Sequence, residues 1–186
     1  MRCKLQNWVL IIVAFIVSNF LLLINQGVFW DDWELYNNSR ENLVQFFARN
    51  GVSYVGDIHF FLQNVTGHPA ILYHSMSFLF GFLSIAIFYK ILEKFNIESN
   101  TIFILTLLFA VMPYNQAKQT MICMFYSFGF FLFLIGVLFF INSIQKRNII
   151  LRLVSFPIII LSFNLLGSAL VVWLSFILLY SIYLQP

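Results

Sequence analysis

Charge is what this sequence has least of. Only 9% of its 186 residues are Asp, Glu, Lys or Arg, against roughly 25% in ordinary soluble domains. Acids are scarcer still, seven in all: Asp31, Asp32, Glu34, Glu41, Asp57, Glu93 and Glu98. The net charge of +3 comes from few, scattered cations, which excludes a nucleic-acid footprint. Cysteine is limited to Cys3 and Cys123. The first precedes the opening apolar run and the second begins the fourth, so the two are expected near opposite membrane faces and unable to pair. Neither sits in a CxxC or beside a His, which removes thiolate metal binding. There is no internal repeat and no low-complexity tract.

Apolar residues fill the space that charge leaves. The chain is 61% hydrophobic with 24 Phe, and its mean hydropathy is +0.90. That is too much apolar surface for a water-soluble core. The expected fold is all-α: a polytopic transmembrane helical bundle of about six spans. About 20 apolar residues cross ~30 Å of hydrocarbon, which places spans near 8–28, 70–89, 97–114, 121–141, 149–163 and 165–184. The first lacks a small-x-small cleavage site and reads as an uncleaved signal anchor. Pro69 suits a first helical turn. The third span is short, with a clean apolar core only from Ile102 to Met112. The run from 149 to 184 is too long for one span and is split near Asn164, with Pro157 expected to kink its first half. The stop just after the last span suggests part of a larger or truncated protein.

The loop 30–69 is the longest polar stretch. Within it Leu35, Leu43, Val44, Phe46 and Phe47 alternate with polar residues, which predicts an amphipathic helix lying in the interface. Gly51, Gly56 and Gly67 are expected to break the remainder into loop. Arg40 and Arg49 would meet lipid headgroups. Six spans put both termini on one side. Arg2, Lys4, Lys90, Lys94, Lys146, Arg147 and Arg152 share that side, and Arg40, Arg49 and Lys118 the other, seven against three. By the positive-inside rule the N-terminus is cytoplasmic and the loop external.

Three groups carry candidate chemistry. Asp31, Asp32 and Glu34 stand beside Trp30 and Trp33 at the exit of the first span. Neighbouring carboxylates raise one another's pKa and can poise a general base. Their oxygens also suit Mg²⁺ or Mn²⁺. The plainer reading is a solvated helix end at the boundary. His59, His68 and His74 fall within sixteen residues. His68 and His74 are about 600° apart around a helix, so an i, i+4 zinc pair is excluded. His68 could hydrogen-bond a phosphate or hydroxyl. Lys118, beside Tyr114, Asn115 and Gln116, could meet a phosphate as a point charge or simply snorkel. Asn37-Asn38-Ser39 and Asn64-Val65-Thr66 are formal glycosylation triplets, of weight only in a eukaryotic secretory setting.

An N-terminal span, Asp31-Asp32 just outside it, an external loop with an interfacial helix, and Gly67-His68-Pro69 opening the second span together resemble the GT-C superfamily of membrane glycosyltransferases. The likeness is to its bacterial members that modify lipid-linked or cell-surface polymers. His68 stands where many members carry Arg. The resemblance implies Asp31 or Asp32 as catalytic acid or metal ligand. It implies a polyprenyl-phosphate sugar as donor, with Glu34, His68, Tyr114 and Lys118 as substrate contacts, in a bacterial plasma membrane. Two other classes compete. One is a non-catalytic membrane subunit working with other subunits of a polysaccharide assembly or export complex. The other is a transporter, which the lack of ionisable residues in spans one, three, four and six disfavours.

Overall fold

A computed structural model describes residues 2–24, 27–29, 32–36, 38–65, 69–95, 97–112, 120–165 and 173–174. Among them are eight helices: α1 Arg2–Ile24, α2 Asp32–Leu35, α3 Arg40–Ala48, α4 Ser53–Val65, α5 Pro69–Leu92, α6 Ser99–Val111, α7 Met124–Gln145 and α8 Ile149–Leu165. Three contain stretches long and apolar enough to cross a membrane: Leu5–Ile24, Ala70–Leu92 and Met124–Gln145. At 1.5 Å per residue each reaches ~30 Å or more. α6 has 13 residues and α8 has 17, or roughly 20 and 26 Å. The third expected span is thus represented by a helix shorter than a bilayer core. The expected sixth span lies outside the described residues apart from Trp173 and Leu174.

The chain divides into two units, Met1–Ser127 and Phe128–Pro186. In the first, α1, α5 and α6 pack around Ile11, Phe15, Ile85, Tyr89, Leu92, Ile102 and Ala110. Aromatic rings fill the seams. Trp8 meets Tyr89 at 4.5 Å between centroids, Phe15 meets Phe78 at 4.9 Å, and Phe88 stacks on Phe109 at 4.5 Å. Asn19 Nδ2 donates to its own helix at Phe15 O, 3.0 Å, and across to Ala110 O of α6, 3.5 Å. A polar group inside an apolar bundle is thereby satisfied.

The polar loop is more helical than its sequence predicts. Ser39 caps α3 by accepting from Asn42 N–H at 3.3 Å. α3 ends in a Schellman pairing, with Val52 N–H bonded to Phe47 O and Gly51 N–H to Ala48 O. Gly51 holds the left-handed position at φ 77°. The chain then returns as α4. Gly56, expected to open a loop, lies inside α4. A Cβ there would stand 2.6 Å from the backbone of Leu43 and Val44, so glycine is what lets the two helices touch. Leu43, Phe47, Val55 and Leu62 are buried, and Arg40 Nε donates to Asp57 Oδ1 at 2.7 Å. Two expectations are corrected. The apolar face of α3 meets α4 rather than lipid, and Arg40 pairs with Asp57 rather than a headgroup.

In the second unit α7 and α8 form a hairpin. Ile141 and Ile159 are buried, Phe140 meets Phe156 at 6.1 Å and Trp173 at 5.0 Å, and Gly136 makes room for the Ile159 side chain. Hydroxyls of Ser143, Ser155 and Ser162 donate to carbonyls one turn back, at 2.6–2.8 Å. Pro157 lies within α8.

Candidate functional site

Asp32 is the residue around which the first unit's polar groups are arranged. It opens the four-residue α2 and is fully buried, with 0% exposure. One oxygen, Oδ2, accepts the Phe29 N–H at 3.2 Å and closes the turn leaving α1. The other, Oδ1, accepts the Ile122 N–H at 3.0 Å. That bond ties the exit of the first helix to the entry of α7, ninety positions along the chain. The solvated-boundary reading is therefore corrected for Asp32, although Trp33 and Glu34, the next two residues, are exposed. Gln63 Nε2 donates to Leu35 O, joining α4 to α2.

Beside this lies a buried His–Tyr pair. His59 of α4 and Tyr73 of α5 are both 0% exposed. His59 Nδ1 and Tyr73 Oη are 2.6 Å apart, and Tyr73 Oη also donates to His59 O at 3.3 Å. The imidazole is stacked between Phe47 at 4.8 Å and Tyr73 at 5.3 Å, with the Phe125 ring edge-on at 4.8 Å. Burial pushes the His59 imidazole down to about 3, so it is neutral at physiological pH. Its Nε2 is buried with no hydrogen-bond partner among the described residues. Asp32 lies within electrostatic reach of the Tyr73 hydroxyl. His74, the next residue of α5, is also fully buried.

The expected site residues fare unequally. Asp32 is buried among these groups, and Glu34 faces outward on α2. Asp31, His68, Tyr114 and Lys118 lie outside the described residues. Both oxygens of Asp32 hold backbone N–H groups, a donor set that suits a structural anchor better than an open Mg²⁺ or Mn²⁺ position. Among the described residues no group of three or more His, Cys, Asp or Glu converges on a metal site. The sequence singles out His59 but not its pairing with Tyr73, because 53–65 reads as loop and Tyr73 as one more aromatic of an apolar span. The signal was present: Val55, His59 and Leu62 stand at i, i+4 and i+7, one face of a helix. Comparison with family models, with curated proteins and with solved structures finds no match.

Proposed function

We propose that the chain is a six-span membrane glycosyltransferase that takes a sugar from a polyprenyl-phosphate donor on the outer face. The observation that carries the reading is the placement of an acidic pair directly after the first apolar helix. One of its members, Asp32, is buried and within electrostatic reach of Tyr73 near the start of α5. Asp31 takes the proton of an acceptor hydroxyl in this reading. The acceptor oxygen bonds the anomeric carbon while the bond from that carbon to the phosphate oxygen breaks. The electron pair leaves with polyprenyl phosphate, whose charge Lys118 and His68 offset. Tyr114 and Glu34 would position donor or acceptor. Asp32 holds the site together rather than reacting.

The interfacial helix of this reading is α4. Tyr54, Ile58, Phe61 and Val65 form an exposed stripe at helical spacing, with Phe61 66% exposed. Val65 is four residues from Pro69, where the second span begins, so the stripe ends at the membrane boundary.

The experiment is turnover in proteoliposomes with a set of polyprenyl-phosphate sugars, measured as released polyprenyl phosphate. Asp31→Asn is expected to lower turnover by roughly a hundredfold or more with the melting temperature unchanged. One observation favours the second reading, a non-catalytic subunit of a polysaccharide assembly complex: both Asp32 oxygens are engaged in holding backbone together. Absence of donor consumption by the wild-type chain, or full turnover in Asp31→Asn, would decide for it.

A further inference from the structure

The geometry points to an anionic-phospholipid headgroup site at the tip of the α7–α8 hairpin, formed by Lys146, Arg147 and Arg152. The hairpin is tightly built. α7 ends in the same Schellman pairing as α3, with Asn148 N–H bonded to Ser143 O at 2.9 Å and Arg147 N–H to Ile144 O at 3.2 Å. Asn148 then caps α8 at once, its Oδ1 accepting from Ile150 N–H at 2.9 Å and Leu151 N–H at 3.2 Å. The residue in the left-handed position is Arg147, at φ 50°. At the equivalent place after α3 the chain uses Gly51. A side chain in that conformation is strained, and glycine avoids the strain. A cation kept where glycine folds better points to a role in binding.

No ion pair among the described residues engages these charges. No Asp or Glu follows Glu98 in the sequence, so the second unit contains three described cations and no acid. Arg152 is half-buried, and its Nε is enclosed with no hydrogen-bond partner among the described residues; a buried donor without an acceptor is costly. An anion from outside the chain would relieve it. The flanking residues say what carries that anion. Ile149, Ile150 and Leu153 are 60–68% exposed, an apolar rim on which acyl chains would lie while phosphate oxygens meet the guanidinium and ammonium groups.

The test is thermal unfolding of the full chain in uncharged detergent, titrated with short-chain phosphatidylglycerol, phosphatidylcholine or inorganic phosphate. Phosphatidylglycerol is expected to raise the melting temperature at concentrations where the other two do not. In Arg147→Gly and Arg152→Gln the concentration giving half the rise should increase roughly fivefold each, while Lys90→Gln on α5 keeps the wild-type response. Without lipid, Arg147→Gly should melt at or above the wild-type temperature. Equal shifts by phosphatidylcholine, an unaltered phosphatidylglycerol response in both arginine variants, or a lower lipid-free melting temperature of Arg147→Gly would overturn the proposal. Reproduction of the shift by inorganic phosphate would assign a free-anion site and overturn the lipid assignment.

Discussion

His59 shows how one side chain couples the loop helices to the membrane helices. Its ring lies among Phe47, Tyr73 and Phe125, and its hydrogen bond to Tyr73 joins α4 to α5. The folded chain protonates this imidazole only at about 3, whereas an unfolded chain does so near 6.5. The unfolded state therefore binds the extra proton first. Stability from the neutral ring is fully present above about 6.5 and is lost as pH falls from there towards 3, by at most about 1.4 kcal/mol per pH unit. Between pH 6.5 and 5 most carboxylates stay ionised, so melting in that window reads histidines, and a substitution at 59 separates this one from His68 and His74. The wild-type melting temperature should fall across it, and His59→Gln should flatten the fall. An equal slope in the variant would remove His59 as its source. At the neighbouring Asp32, Asn offers one oxygen where two N–H groups need acceptors. Asp32→Asn is expected to cost about 1–3 kcal/mol of stability, unlike Asp31→Asn.

At the scale of the element, α3 and α4 exchange the roles that their sequences suggest. Leu43 and Phe47 of α3 are enclosed by protein, and α4 presents Tyr54, Ile58, Phe61 and Val65 outward. Spin labels placed singly along 53–65, in a chain carrying Cys3→Ser and Cys123→Ala, would read the surroundings of each face. Accessibility to oxygen over a water-soluble nickel complex should peak at 54, 58, 61 and 65. Peaks favouring the nickel complex would put α4 in water. Protection from both reagents would mean a protein partner covers it. Gly56 explains why the helix was read as loop. Glycine in a helix costs up to about 1 kcal/mol relative to Ala, and local propensity counts that cost alone. The opposing gain is the close helix contact, where an added Cβ would stand only 2.6 Å from the Leu43 backbone, and it depends on a helix elsewhere in the chain.

For the whole molecule, α6 decides the topology. If α1, α5, α6 and α7 all cross, the hairpin at Lys146 lies on the same side as the N-terminus. If α6 does not cross, three crossings put that hairpin on the opposite side. The short α6, with 13 residues, would need flanking residues or a thinned bilayer to span. The excess of cations predicts the crossing. In intact cells a membrane-impermeant maleimide should label Asn38→Cys, while Lys146→Cys should label only after permeabilisation. External labelling at 146 would reduce the bundle and reverse its second unit. The headgroup site would survive such a reversal, since anionic lipid can be offered to either face in a micelle.

The sequence by itself determined that this is a helical protein with segments long and apolar enough to cross a membrane, and where most of its long helices lie. Hydropathy and helical length are local and additive, so runs such as 5–24 and 70–92 announce themselves without knowledge of their neighbours. It also marked the acidic pair after α1 as unusual. Only the tertiary structure decided what Asp32 touches. Its partner N–H belongs to Ile122, and no pattern of spacing relates residues so far apart. The same holds for His59 and Tyr73, for the enclosure of α3, and for the meeting of Gly56 with Leu43. Each is a contact between elements, set by how apolar faces and backbone donors find one another once the helices have formed.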